Sequence, residues 1–173
     1  MTSERKSQPF SAWDIALVVV MGALANILGF LAIPGPLNIK FAMTMVPVFL
    51  AAYARGWKVG FLSGLMGGIM LGLQYGFIGY ALILTGVMGL VAGALVEFTS
   101  FFKKYPVWAG VIGAICEAPG DILSMIFMFG NPFEIWFPLT LKDITQDVIA
   151  AFIAVLILKN KRIQKGLRSI VKP

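Results

Sequence analysis

Apolar residues in this chain come in long uninterrupted runs separated by short polar or basic groups. The longest run lies between Lys58 and Glu97 and has 38 consecutive residues without a formal charge. That is about twice the roughly 20 residues a helix needs to cross a bilayer. Two spans fit there, at about 58–74 and 77–100, with Gln74, Tyr75 and Gly76 as the turn between them. A first span is predicted at about 13–33, closed by Pro34, Gly35 and Pro36, which a helix interior does not tolerate. The second, at about 40–54, has only 14 uncharged residues between Lys40 and Arg55 and carries Pro47, so a kinked or partly re-entrant helix is expected. A fifth span is placed at about 107–129 and a sixth at about 138–158. Between them Gly130, Asn131, Pro132, Phe133, Glu134, Ile135 and Trp136 read as a loop with turn chemistry and an interfacial tryptophan.

The pattern therefore predicts an all-α integral membrane protein, a six-helix bundle forming one domain over residues 1–173, with polar tails at 1–12 and 159–173. Composition agrees. The chain is 59% apolar and 13% charged, with a mean hydropathy of +0.89, whereas soluble domains carry about 45–50% apolar and about 25% charged residues. A soluble enzyme domain has no room in it. The segment after the polar start is longer than a signal-peptide core and lacks a small-residue cleavage site, so it is read as a retained helix.

A net charge of +6 on a soluble protein would suggest nucleic acid, but here the basic residues sit in groups between the apolar runs and act as topology signals. Six spans put Arg5 and Lys6, Arg55 and Lys58, Lys103 and Lys104, and the tail from Lys159 to Lys172 on one side. That side holds 12 of the 14 basic residues, leaving out only Lys40 and Lys142, and it should be the cytoplasm. Both termini then lie on the cytoplasmic side of the cell membrane, and the basic tail meets anionic lipid or a cytoplasmic partner. An odd number of spans would scatter the basic groups over both faces.

Gly60, Gly64, Gly68, Gly72 and Gly76 recur at intervals of four, and Gly86, Gly89 and Gly93 follow in the next span. Small residues at this spacing let a second backbone approach closely. Either the bundle packs on itself there or the face is offered to a partner, and spacing does not separate the two.

Ionisable residues within the spans carry the functional signal, because burying them in a bilayer is costly unless they face a cavity or a partner. The fifth span holds Glu117 and Asp121, one helical turn apart, with Pro119 between them. The sixth holds Lys142, Asp143, Gln146 and Asp147. Glu117 falls near mid-depth, and Asp121 and Lys142 lie nearer the outside. The sets converge beneath loops bearing Asn38, Tyr75, Asn131 and Trp136. The expected substrate-binding residues are Glu117, Asp121, Lys142, Gln146, Asn38, Tyr75, Asn131 and Trp136. A buried structural ion pair would use Lys142 and a single acid, leaving up to three further carboxyls uncompensated.

Catalysis is not expected. The chain has no histidine, a single cysteine (Cys116) read as inert packing, no G-x-S-x-G and no G-x-x-x-x-G-K-[ST]. Nothing indicates a catalytic residue, a metal ligand, a cofactor or a nucleotide-driven motor within the chain itself.

Several stretches resemble one transporter family: Ala23-Leu24-Ala25 in the first span, the Pro-Gly-Pro loop, Val46-Pro47-Val48-Phe49-Leu50-Ala51-Ala52-Tyr53-Ala54-Arg55-Gly56, then Gly60, Gly64 and Gly67-Gly68. Together with length, six spans, a short second helix and a basic tail, the chain resembles the substrate-binding S component of energy-coupling factor (ECF) vitamin transporters. The resemblance implies a subunit that captures a vitamin or related micronutrient from outside. It would then work with a transmembrane coupling subunit and two cytoplasmic ATPases, toppling in the membrane to release its cargo. It also implies binding through the loop after the first helix and the outer parts of the fourth to sixth, where Glu117, Asp121, Lys142 and Gln146 fall. The family's small-xxx-small docking motif on the first helix is kept here only in part. Val19 with Ala23, or Ala16 with Val20, occupies the matching register, so Ala16 and Ala23 mark the expected docking face. The acidic and aromatic pair of thiamine-binding relatives is replaced by Leu82-Ile83-Leu84-Thr85-Gly86, which disfavours thiamine.

The alternative is a stand-alone proton-coupled carrier of a small polar metabolite, using Asp147 or Glu117 as its proton site. Such carriers are often inverted repeats. Residues 1–86 and 87–173 share no such symmetry: the long uncharged helices lie in the first half and the span charges singled out above in the second.

Overall fold

The computed structural model describes residues 10–31, 33–34, 40–127, 130 and 132–160. Among these residues six longer helices run up and down a bundle: α1 (Ala12–Phe30), α2 (Met45–Arg55), α3 (Trp57–Tyr75), α4 (Ile78–Phe98), α6 (Pro106–Phe127) and α7 (Phe133–Lys159). A five-residue helix, α5 (Ser100–Lys104), joins α4 to α6. A two-residue antiparallel pair, β1 (Ile33–Pro34) with β2 (Lys40–Phe41), closes the segment between α1 and α2. Among the described residues three helices, Ala12–Phe30, Ile78–Phe98 and Pro106–Ser124, are long and apolar enough to cross a membrane by length and composition.

Several predicted boundaries shift. The first helix stops at Phe30, not 33, because Ile33 precedes a proline and takes the extended pairing with Phe41 instead. The second starts at Met45, not 40, and Pro47 falls in its first turn, where no helical N–H is required, so Pro47 breaks no helical hydrogen bond. The fourth ends at Phe98, since Thr99 adopts an extended backbone before α5. The last begins at Phe133, not 138, with Pro132 as its N-cap and Glu134 favourably placed in the first turn. Pro138 and Trp136 are therefore helical, and the predicted loop from 130 to 136 contracts.

α2 is the centre of the bundle. Every residue from Met45 to Ala52 is buried, as expected of a helix surrounded on all sides. Phe49 and Val48 are fully enclosed among Ala25, Met88, Ala92, Ala114, Ala150 and Ala154. The outer faces of α1, α4, α6 and α7 carry exposed Val20, Ile83, Leu123 and Phe152. Apolar surface of this kind is stable only in lipid or against a partner.

The glycine interval has an internal occupant. A Cβ on Gly64 would meet the Thr85 carbonyl carbon at 2.7 Å and the Gly86 Cα at 2.8 Å, and one on Gly68 would meet the Ala81 carbonyl oxygen at 2.7 Å. Gly60 and Gly89 lie against each other in the same way. The face formed by Gly60, Gly64, Gly68 and Gly72 thus packs on α4 and is not presented to a partner. The Thr85 hydroxyl seals the seam, donating to Gly64 O at 2.7 Å and Ala81 O at 2.8 Å.

Asn26 is a polar brace that the sequence reading passed over. Its Nδ2 donates to Gly22 O at 2.9 Å and Met66 O at 2.7 Å, and its Oδ1 accepts from Met70 N at 2.7 Å. Met66 O and Met70 N are the two ends of one helical hydrogen-bond position, so the α1 amide is inserted into the α3 ladder. A second brace closes the opposite end. Arg55 Nε donates to Asp14 Oδ1 at 2.6 Å, while Ser11 and Asp14 form a capping box at the start of α1.

Candidate functional site

α2 is only about 16 Å long at 1.5 Å per residue, against a bilayer core of about 30 Å. Above its N-terminus the other helices enclose space that no side chain fills. The empty space there is about 920 Å³ when the open solvent at its mouth is counted. Ala42, Thr44 and Met45 line it on the α2 side, Gln74 comes from the last turn of α3, Phe77 from the turn before α4, and Tyr80, Leu84 and Met88 from α4. The polar wall is built by α6 and α7: Glu117, Asp121 and Ser124 from one, Lys142, Asp143, Gln146 and Asp147 from the other.

Helical spacing explains this wall. Glu117, Asp121 and Ser124 share one face of α6, and Lys142, Asp143, Gln146 and Asp147 share one face of α7. Glu117 and Asp147 are 8% and 3% exposed, and their carboxyls face each other across the α6–α7 seam. Lys142 Nζ pairs with Asp143 Oδ1 and also lies near Asp121 and Asp147. Gln146 Oε1 accepts the Ala42 N–H at 2.9 Å and so ties the connection before α2 to α7. The Tyr80 hydroxyl lies beside Asp121 and Ser124.

Four of the eight predicted substrate-binding residues line this cavity: Glu117, Asp121, Lys142 and Gln146. Trp136 does not. It stands in the first turn of α7 and packs edge-on against Phe133, with ring centroids 4.8 Å apart. Tyr75 is the last residue of α3, next to Gln74, which does reach the cavity. Asn38 and Asn131 lie outside the described residues. The sequence reading missed Tyr80, Ser124 and Thr44; only Ser124 carried a signal, one turn beyond Asp121. Asp143 and Asp147 were noted as span charges, and Asp147 as the proton site of the alternative carrier, but neither was among the expected substrate-binding residues. Among the described residues no group of three or more carboxylates or thiols is arranged to hold a metal ion.

Lipid-compatible outer faces around a cavity with one polar wall give the bundle the form of a membrane-embedded protein with a ligand-sized opening in one half. The chain belongs to the family described as ECF-type riboflavin transporter, S component, which matches residues 9–169. It is therefore a substrate-binding S component of an ECF transporter. No curated protein matches the chain.

Proposed function

We propose that this S component captures a vitamin-sized polar micronutrient from outside the cell in the α6–α7 cavity and hands it to a coupling subunit driven by two cytoplasmic ATPases. The observation that carries this reading is the position of the cavity. It lies in the half of the bundle away from Arg55, Lys58, Lys103, Lys104 and Lys159, the end that the positive-inside rule assigns to the cytoplasm. Six spans with both termini inside fit the up-and-down course of the helices, and α2 reaches only partway, which leaves the cavity in the rest of its column.

Docking to the coupling subunit is assigned to α1. Ala16 and Ala23 are both exposed, on a strip with Val19 and Val20, and small residues there permit close approach of a second helix. Reconstituted in liposomes with the coupling subunit and ATPases, the protein should accumulate its ligand only when ATP is supplied. Ala16→Leu with Ala23→Leu should abolish co-purification of the coupling subunit while leaving ligand binding unchanged. Uptake driven by a proton gradient without those partners would contradict the proposal and favour a stand-alone carrier.

A further inference from the structure

Gln146 lines the cavity from α7, 8% exposed, and the direction of its amide is fixed. Its Oε1 accepts the Ala42 N–H at 2.9 Å. A backbone N–H can pair only with the oxygen end of a side-chain amide, and a flipped amide would set two donors against each other. The oxygen is thereby committed to the connection before α2. The other end, Nε2, keeps two N–H donors and has no hydrogen-bond partner among the described residues. A second donor stands two residues beyond Ala42. The Thr44 hydroxyl, 1% exposed, lines the same cavity and has no hydrogen-bond partner among the described residues. Leaving buried donors unpaired is costly, so both call for a bound acceptor. The remaining polar groups of the wall are engaged or of the opposite kind. Lys142 pairs with Asp143, while Glu117, Asp121 and Asp147 only accept hydrogen bonds when ionised. Thr85 spends its proton on the Gly64 and Ala81 carbonyls, and Ser124 on the Asp121 carbonyl. Donors without a partner thus gather at the α2 end of the cavity, next to an acceptor wall on α6 and α7.

Resting on the reading of this cavity as the ligand site, we propose that Gln146 is a specificity-determining residue that donates from Nε2 to a carbonyl oxygen on the ligand's ring, with the Thr44 hydroxyl as a second donor. The Ala42 N–H acts through Gln146, by fixing which end of the amide the ligand meets. The ligand class is a ring bearing a carbonyl oxygen, and the flavin in the family's description carries such oxygens.

The test uses the full chain in detergent and isothermal titration with riboflavin and its 2-thio and 4-thio analogues, in which sulfur, a poorer acceptor, replaces one ring carbonyl oxygen. One analogue should bind the wild type at least tenfold more weakly than riboflavin, and that preference should vanish in Gln146→Glu. Glutamate has nearly the same shape and its carboxylate still accepts the Ala42 N–H, but it presents no donor. Gln146→Glu should therefore lose at least tenfold in riboflavin affinity. A residue that merely tethered the connection before α2 would be replaced by glutamate without loss, and only Gln146→Met would weaken binding. Equal wild-type binding of riboflavin and both analogues, a preference that persists in Gln146→Glu, or undiminished riboflavin affinity in that variant overturns the role of Gln146 and leaves the binding-subunit reading intact. The wild-type comparison stands even where a variant does not fold. A folded wild-type chain that binds neither riboflavin nor its analogues overturns both.

Discussion

Asn26 shows how one polar side chain is used when water is absent. Its amide makes three hydrogen bonds to backbone, two of them to α3, and so fixes the rotation of α3 against α1. Replacing it by leucine leaves Met66 O and Met70 N to pair with each other or stay unsatisfied, and adds volume where Gly22 and Met66 already touch. Asn26→Leu should cost about 1–3 kcal/mol, seen as a lower thermal midpoint in detergent with ligand affinity unchanged. At this scale the sequence was legible where charge made a residue conspicuous. Glu117, Asp121 and Lys142 could be found because ionisable groups in an apolar run demand an explanation. Asn26, Thr44 and Tyr80 could not, because neutral polar residues occur in spans for many reasons and only the fold brings them to their partners. Asp14 was overlooked although it is charged, since its partner Arg55 lies 41 residues away.

Helices were easier to read than their ends. The six longer elements follow from their mostly apolar runs, but the boundaries at 30, 45 and 133 were set by prolines and by pairing across the connection between α1 and α2, and that at 98 by the extended backbone of Thr99. The α3–α4 glycines make a sharper test of element packing. In Gly64→Ala the new methyl meets the Thr85 carbonyl and the Gly86 Cα, backbone that cannot step aside without parting the helices. A loss of about 3 kcal/mol or more is expected. Gly79 sits in the first turn of α4 with nothing within 4 Å of its would-be Cβ. Gly79→Ala should therefore leave stability unchanged or raise it by about 0.5–1 kcal/mol through helix propensity. Thermal unfolding of the two variants side by side separates close packing from a general intolerance of larger residues. Equal effects would refute the assignment of Gly64 to a backbone contact.

For the whole molecule, the division of labour runs along the bundle. The end bearing Arg55, Lys58, Lys103 and Lys104 is braced by Asp14 with Arg55 and by Glu97, whose carboxylate accepts the Trp57 N–H at 3.3 Å. The opposite half is hollow because α2 stops short, and the acidic faces of α6 and α7 turn into the space it leaves. A cavity with buried carboxyls on one wall is tolerable in a stable bundle only if water or a ligand satisfies that wall. If the cavity is the ligand site, native mass spectrometry of the purified wild-type chain should show one molecule of a few hundred daltons bound per chain, with at least a tenfold loss of that occupancy in folded Glu117→Ala. Equal occupancy in both, or a wild-type chain that stays empty after incubation with a panel of micronutrients, would contradict it.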